Sequence, residues 1–352
     1  MKAPLNVAVF GLGRMGRLYA QTLARQIPLA RLYAVADPDV HARSALQAEI
    51  DVPHVLAEAQ EALALPGLDA VVIATPTHTH SRLVAAAAQA GKAIFCEKPL
   101  ALTLPDTHAA FDAVAQAGVP LQAGFMRRFD AAYRQARQMI GHGLIGRPVM
   151  FKAVGRDPFC PRPAFADPAC SGGLILDMGI HDFDLARWLV GSEVERVTAE
   201  GALLVCDDLQ AVGDFDQAVI NLRFENGTLG NVEVSRTAFY GYDIRTEVVG
   251  SEGIVRVGGT KQPEPMLSTR HAAPADGDAY LMNRFGEAYR AQLHHFVDCL
   301  LDDQPPIVSG ADALAAFEIA LAATYAAQTG EPVMLKAVRE GWSPEPRRLF
   351  DY

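Results

Sequence analysis

Asp177 and His181 lie four positions apart in a stretch with a helical pattern, so we expect their side chains on one face. Histidine changes charge near neutral pH and can accept a substrate proton, while a nearby carboxylate can orient its ring. Lys98 follows a predicted strand and could hydrogen-bond an oxygen that develops negative charge. Two of these residues also have a structural interpretation: Glu97-Lys98-Pro99 could be a surface turn, and His181 a buried, hydrogen-bonded histidine.

The residues Asp177, His181, Asp182 and Asp184 raise the question of a metal site. On a helix, however, Asp182 projects about 100° away from His181. No second histidine or cysteine follows at the spacing of metal ligands. We therefore predict that the protein holds no metal.

A glycine-rich segment separates the first predicted strand, Leu5–Phe10, from the first predicted helix, Met15–Arg25. Its residues are Gly11, Leu12, Gly13, Arg14, Met15 and Gly16. Such glycines allow a tight turn and a close approach of the backbone to a pyrophosphate, which the amino end of the helix favours electrostatically. The segment predicts a dinucleotide site.

Asp37 ends the next predicted strand, 21 positions after Gly16. An acid there can accept hydrogen bonds from both ribose hydroxyls of NAD and would repel the 2′-phosphate of NADP. NAD is therefore the predicted cofactor. The alternative is that Asp37 only caps the helix starting at Asp39.

Further candidate cofactor contacts follow later strands, at the edge where ligands bind such folds. Thr75 and Pro76 follow one strand, and His80 opens the next helix, where capping is an alternative role. Glu97 and Lys98 end the following strand.

The elements that must position these residues alternate between strand and helix over the first ~120 residues, which predicts a parallel sheet covered on both faces. After residue 125 the pattern becomes several strand-like runs, with a hairpin signal at Asn226-Gly227. The predicted fold is α/β, with a doubly wound Rossmann domain (1–124) followed by an α/β domain on a large, mostly antiparallel open sheet (125–352).

Charge, apolar runs and cysteine spacing argue against a nucleic-acid-binding, membrane-spanning or secreted protein. The chain has 352 residues, 50% hydrophobic and 20% charged, with a net charge of −10, which argues against a nucleic-acid partner. The start of the sequence does not resemble a secretory leader, and no apolar run reaches the ~20 residues of a membrane span. The five cysteines form no CxxC pair, which predicts free thiols in a reducing compartment, the cytoplasm.

Taken together, these segments resemble the Gfo/Idh/MocA oxidoreductase family, most closely its inositol 2-dehydrogenase branch. The matching segments are GLGRMG at 11–16, VADPD at 35–39, ATPTHTH at 74–80, CEKPL at 96–100, GFMRRFD at 124–130, IGRPV at 145–149, GRDP at 155–158 and GGLILDMGIHDFDLARWLVG at 172–191. The resemblance implies an NAD-dependent dehydrogenase of a cyclic polyol. It assigns catalysis to Lys98, Asp177 and His181.

The polyol site is less well defined by the sequence. Met126 and Arg127 follow the sixth strand and could line the substrate cleft, although Arg127 could equally be a solvated partner of a nearby acid. Asp157 could bind substrate hydroxyls or make a turn before Pro158. Tyr240 and Tyr242 alternate, as on one face of a strand, so either could reach the substrate cleft or only pack on that face.

Three functions are compatible with these residues. The first is an inositol 2-dehydrogenase acting on myo- or scyllo-inositol. The second is an aldose dehydrogenase or keto-sugar reductase of the same family, and the third is a non-catalytic regulator that senses NAD or sugar. We also expect a homo-oligomer, a dimer or a homotetramer, because the exposed sheet face of such a second domain usually pairs with another subunit.

Overall fold

The computed structural model describes residues 3–258 and 281–341. Its chain divides into two compact units. Unit 1 comprises Met1–Met126 and Tyr289–Leu314, and unit 2 comprises Arg127–Ala288 and Ala315–Tyr352. The division at residue 124 made from the sequence remains a prediction.

Unit 1 is built on a six-stranded parallel sheet with the order β3-β2-β1-β4-β5-β6. Its elements are β1 (Leu5–Phe10), α1 (Arg14–Arg25), β2 (Ala30–Ala36), α2 (Val40–Gln47), β3 (His54–Leu56), α3 (Ala59–Leu63), β4 (Ala70–Ile73), a 3₁₀ turn (Thr77–Thr79), α4 (His80–Gln89), β5 (Ala93–Glu97), α5 (Leu104–Ala117) and β6 (Leu121–Gly124).

Strands β4 and β5 are short, mostly apolar runs whose residues are all buried, as expected when both faces of the sheet are covered. The strand order reverses between β1 and β4, which is the topological switch point where ligands bind in doubly wound sheets. All six strands are parallel, so the residues that follow them share one edge. The sequence prediction of a Rossmann sheet is confirmed.

Unit 2 contains a seven-stranded sheet with the order β12-β11-β7-β10-β9-β8-β13, in which only the β7–β10 pair is parallel. The remaining elements are a 3₁₀ turn (Met126–Phe129), α6 (Ala131–Gly141), β7 (Pro148–Arg156), α7 (Pro163–Ala166), α8 (Pro168–Ser171), a π-helical turn (Ile175–Gly179), α9 (Ile180–Val190), β8 (Val194–Ala202), a 3₁₀ turn (Asp207–Val212), β9 (Gln217–Phe224), β10 (Leu229–Ser235), β11 (Asp243–Gly250), β12 (Ile254–Val257), α10 (Leu281–Asp302), α11 (Gly310–Thr329), β13 (Val333–Met334) and α12 (Leu335–Arg339).

Burial alternates residue by residue along β9 and β11. This alternation is typical of a sheet with one face packed on a core and the other left open. The predicted hairpin joins β9 to β10, with Gly227 at a positive φ of 85°. The mostly antiparallel sheet predicted for the second half is therefore confirmed.

Among the described helices, α11 is long and apolar enough to span a membrane by length and composition alone. Half of its most apolar window is buried inside the protein. Core helices of soluble proteins pass the same test, so this feature by itself does not indicate a membrane span.

The prediction that all five cysteines are free thiols is wrong. Cys160 and Cys206 form a disulfide that links the segment after β7 to the connection between β8 and β9. The two cysteines are 46 positions apart, so only the tertiary structure brings them together. No short spacing motif in the sequence marks such a pair. Among the described residues, Cys96, Cys170 and Cys299 are free.

Candidate active site

The glycine-rich turn between β1 and α1 shows a different requirement at each glycine. A Cβ on Gly11, whose φ is 84°, would lie 2.6 Å from the carbonyl oxygen of Ala74, and one on Gly16 would meet the Gly11 carbonyl. At Gly13, by contrast, a Cβ would have no atom within 4 Å. Gly13 is the N-cap of α1, and no side chain caps that helix. The amino end of α1 therefore faces open space at Gly13. This arrangement suits a dinucleotide pyrophosphate.

Asp37 follows β2 and joins two loops at the carboxyl edge of the sheet. Its carboxylate accepts hydrogen bonds from the Leu12 amide at 2.6 Å and the Asp39 amide at 2.8 Å. Asp39, and not Asp37, is the N-cap of α2. Asp37 therefore orders the glycine-rich turn, and ribose binding remains a proposed second role.

His80 connects the loops that follow β4 and β5. Its Nδ1 lies 2.8 Å from the Pro99 carbonyl oxygen, and its Nε2 lies 2.8 Å from that of Thr75. Burial lowers the pKa of His80, and a neutral ring can donate to only one of these carbonyls at a time. The neighbouring Pro76 carbonyl accepts a hydrogen bond from Thr79, which also bonds Thr75. His80 thus fixes the loop that carries Thr75 and Pro76.

Glu97 lies beneath the backbone of Lys98. Its buried carboxylate accepts hydrogen bonds from the Lys98 amide at 3.1 Å and from the Tyr19 hydroxyl. Gln292 donates to the Tyr19 oxygen at 2.7 Å. Burial raises the pKa of both Glu97 and Tyr19. Glu97 therefore fixes the backbone of the half-buried Lys98 through a hydrogen bond. A Cβ on Gly124 would lie only 2.9 Å from the carboxylate of Glu97, so glycine is needed there.

Asp177 and His181 come from the junction between two kinds of helix in unit 2. Asp177 lies in the π-helical turn Ile175–Gly179, and His181 lies in the first turn of α9. The sequence predicts one α-helix opened by Gly172-Gly173. In the structure, both glycines have positive φ, Gly172 caps α8, and helical residues begin at Gly173. π-helical bulges are frequent at functional sites.

Asp177 faces a buried arginine that the sequence analysis missed. Its Oδ2 lies 3.5 Å from Nη2 of Arg236, whose side chain is only 2% exposed. Nη1 of Arg236 donates to Asp214 at 2.5 Å. Burial raises the pKa of Asp214, and Arg236 opposes that shift.

Both arginines of the segment Met126–Phe129 pair with acids of α9. Arg127 donates to Asp182 at 2.5 Å, and Arg128 binds Asp184 through two nitrogens at 2.9 and 2.5 Å. Burial works against the charge of Arg127, but Asp182 outweighs it and raises the pKa of the guanidinium. Arg127 is therefore a buried partner of an acid rather than a solvated one. Met126, its neighbour in unit 1, is also buried.

The described residues contain no group of three or more histidines, cysteines or acids arranged to hold a metal ion. Asp182 and Asp184 already serve as partners of arginines.

Of the two candidate tyrosines, Tyr242 contacts Arg127. Burial raises the pKa of Tyr242, and a hydrogen bond with Arg127 opposes this. The hydroxyl of Tyr240 instead donates to Asp243 at 3.1 Å and accepts from Arg156 at 2.7 Å. The expectation that they alternate on one strand is wrong, because both lie in the connection between β10 and β11, where Gly241 has a φ of 135°.

Asp157 follows β7 and is fixed through its backbone. Its amide donates to the Ser235 carbonyl at 2.8 Å, and its own carbonyl accepts from Ala238 at 2.9 Å. These bonds hold Asp157 beside the end of β10, and its side chain is half-buried.

Comparison with known proteins assigns the chain to a family. Residues 5–125 match the model described as oxidoreductase family, NAD-binding Rossmann fold, and residues 133–256 match the GFO/IDH/MocA C-terminal domain. The chain belongs to the GFO/IDH/MocA family. It is an NAD-dependent oxidoreductase acting on CH–OH groups, and the resemblance inferred from the sequence motifs is confirmed.

Relatives in this family match nearly the whole chain. The scyllo-inositol 2-dehydrogenase (NAD(+)) of Bacillus subtilis is 39% identical, covering 96% of this chain and 98% of its own. The myo-inositol 2-dehydrogenase of Thermotoga maritima is 36% identical, covering 95% and 99%. Among solved structures, scyllo-inositol dehydrogenase from Lactobacillus casei with bound NAD(H) and scyllo-inositol has a TM-score of 0.87 at 28% identity, covering 95% of this chain and 99% of that one.

Proposed function

We propose that this GFO/IDH/MocA protein is an NAD-dependent dehydrogenase that oxidises a secondary hydroxyl of myo- or scyllo-inositol to the corresponding inosose. The observation that carries the proposal is the 39% identity to a scyllo-inositol 2-dehydrogenase over 96% of the chain. The glycine-rich turn, with open space over Gly13 at a helix amino end, supports the cofactor part of the proposal.

In the proposed reaction, a C–H bond and an O–H bond of the substrate break and a C=O bond forms. NAD, when bound, supplies the acceptor for the hydride. His181 accepts the hydroxyl proton as general base. Lys98 hydrogen-bonds the same oxygen and stabilises its developing negative charge. Asp177 orients the imidazole and stabilises its protonated form.

The cofactor contacts proposed from the sequence are the glycine-rich turn, Asp37, Thr75, Pro76, His80, Glu97 and Lys98. The hydrogen bonds of His80 and Glu97 support positioning roles for these two residues, because each side chain binds the backbone of a loop at the carboxyl edge.

For the polyol, we propose Met126, Arg127, Asp157 and Tyr240 as lining residues. Tyr242 belongs in this group because it contacts Arg127. Tyr240 has the weaker support, since its hydroxyl is occupied by Arg156 and Asp243.

We further propose that the protein acts as a homo-oligomer, either a dimer or a tetramer, without a nucleic-acid or membrane partner. Exposed apolar residues on the sheet of unit 2, including Val219 and Leu229, support this proposal. A monomer mass by light scattering at micromolar concentration would contradict it.

A cytoplasmic location is proposed because the required cofactor is an intracellular dinucleotide. The disulfide between Cys160 and Cys206 removes the argument from free thiols. Cell fractionation tests the location: recovery with cytoplasmic marker proteins would support it, and recovery with secreted proteins would contradict it.

The experiment that tests the function is NADH formation at mildly alkaline pH with myo-, scyllo- and chiro-inositol and with common aldoses, using NAD and NADP in parallel. Turnover of one inositol with NAD supports the proposal. Turnover of an aldose alone would replace the substrate and keep the reaction. No turnover with any substrate, while NAD still binds, would contradict dehydrogenation of these polyols.

A further inference from the structure

In unit 2, the buried guanidinium of Arg236 contacts two carboxylates, those of Asp177 and Asp214. Arg236 follows β10 and its side chain is 2% exposed. Its Nη1 donates to Asp214 at 2.5 Å, and its Nη2 lies 3.5 Å from Asp177 Oδ2. Nη2 makes no hydrogen bond among the described residues, and at 3.5 Å its contact with Asp177 is an ion pair. The cation therefore faces Asp177 from the protein interior.

Asp214 fixes this cation relative to the chain that carries Asp177. Its carboxylate also accepts from the Leu174 amide at 3.0 and 3.1 Å, at the start of the helical segment. A Cβ on Gly173 would lie 2.7 Å from Asp214 Oδ1, so the glycine is needed for this approach. The backbone amide of Arg236 donates to the Asp216 carbonyl at 3.0 Å, which anchors the arginine independently.

We propose that Arg236 and Asp214 are positioning residues that set the orientation and the charge of Asp177 during dehydrogenation. The inference rests on the proposed function, in which Asp177 supports His181. A buried cation next to Asp177 favours the ionised form of Asp177. The negative charge of Asp214 partly offsets the positive charge of Arg236 and so weakens this effect. The pair thereby controls how much negative charge Asp177 presents to the proton-accepting group.

Two substitutions should move the pH profile in opposite directions. Arg236→Met removes a positive charge, so the acidic limb of kcat/KM should shift to higher pH by about half to one unit. Asp214→Asn removes a negative charge and keeps an oxygen for the Leu174 amide, so the same limb should shift to lower pH. Arg236→Lys keeps the positive charge but lacks the planar guanidinium. This variant should turn over more slowly, with little shift of the acidic limb of kcat/KM.

The size of the turnover effect follows from misplacement of Asp177. For Arg236→Met we expect kcat to fall by about tenfold to a hundredfold, as for other small displacements of catalytic groups. The affinity for NAD, measured by protein fluorescence, should stay within about twofold of wild type. The matched control is Arg187→Met, which removes an arginine paired with Glu193 near the other end of α9.

A double-mutant comparison separates positioning from general structural support. In an Asp177→Asn background, Arg236→Met should have little further effect on kcat, because its target is already neutral. Opposite pH shifts together with this loss of effect support the inference. The inference would be overturned if Arg236→Met and Asp214→Asn both lowered kcat without shifting the pH profile, and if Arg236→Met still lowered kcat in the Asp177→Asn background.

Two further outcomes keep the test decisive. If Arg236→Met does not fold, Asp214→Asn and Arg236→Lys carry the same comparison, and an unmoved acidic limb in Asp214→Asn would overturn the inference. If Asp177→Asn itself turns over at the wild-type rate, the proposed catalytic role of Asp177 fails, and the inference fails with it.

Discussion

The buried pair between Arg127 and Asp182 should contribute strongly to stability. Both side chains are almost inaccessible, at 4% and 0% exposure, and their nitrogen and oxygen lie 2.5 Å apart. The second oxygen of Asp182 has no hydrogen-bond partner among the described residues, so Arg127 provides most of the compensation for that charge. Removing one member of such a pair leaves a buried uncompensated charge, which costs about 3–5 kcal/mol.

We therefore expect Arg127→Met to lower the melting temperature by about 6–20 °C, at the usual 2–4 °C per kcal/mol for domains of this size. Differential scanning calorimetry without cofactor measures this effect, since bound ligand would mask it. Replacing both members, as in Arg127→Met with Asp182→Leu, should restore part of the loss, because neither charge then remains buried alone.

The control for this prediction is the more exposed pair between Arg187 and Glu193, whose side chains are 12% and 40% accessible. Arg187→Met should cost at most about 1 kcal/mol. A melting temperature of Arg127→Met no lower than that of the control, or a double variant whose loss is the sum of the two single losses, would refute the reasoning.

Three further predictions concern the proposed active site and the disulfide. His181→Ala and Lys98→Ala should each lower inositol turnover by about 10²–10⁴-fold, with NAD affinity nearly unchanged in His181→Ala, as measured by steady-state kinetics and fluorescence titration. Asp37→Ala should relax the preference of kcat/KM for NAD over NADP, because the repulsion of a 2′-phosphate is removed. The disulfide between Cys160 and Cys206 closes a loop of 46 positions, so paired serine substitution should lower the free energy of unfolding by about 3–4 kcal/mol in chemical denaturation.

Each of these predictions has a contradicting outcome. Wild-type turnover in both alanine variants would remove the catalytic assignment. An unchanged cofactor preference in Asp37→Ala would leave that residue with only its hydrogen bonds to Leu12 and Asp39. A serine variant as stable as the oxidised wild type would show that the disulfide constrains nothing in the unfolded chain.

The sequence predicted the parts of the fold that depend on local pattern. The buried strands of unit 1 read as largely apolar runs, and Gly16 is needed for a backbone contact with Gly11 within one strand–turn–helix unit. Several short elements were not predicted, among them β3 and α3, which have only three and five residues. Segments this short carry too few positions to show a period.

Contacts between distant residues were not predictable in the same way. Arg236 and Asp214 are 22 positions apart, and Arg127 and Asp182 are 55 apart. In sequence, each of these charged residues is indistinguishable from a solvated one, because only the fold determines which is buried. The disulfide was missed for the same reason, and the π-helical turn at Asp177 differs from an α-helix in hydrogen bonding rather than in composition.

The most direct test of the central claim is the initial rate of NADH formation from myo- and scyllo-inositol by the wild-type protein, with the His181→Ala variant measured alongside. We predict turnover of at least one of the two inositols with NAD by the wild type and a rate about 10²–10⁴-fold lower for the variant. The absence of NADH formation from either inositol, in wild-type protein shown to bind NAD, would contradict the account.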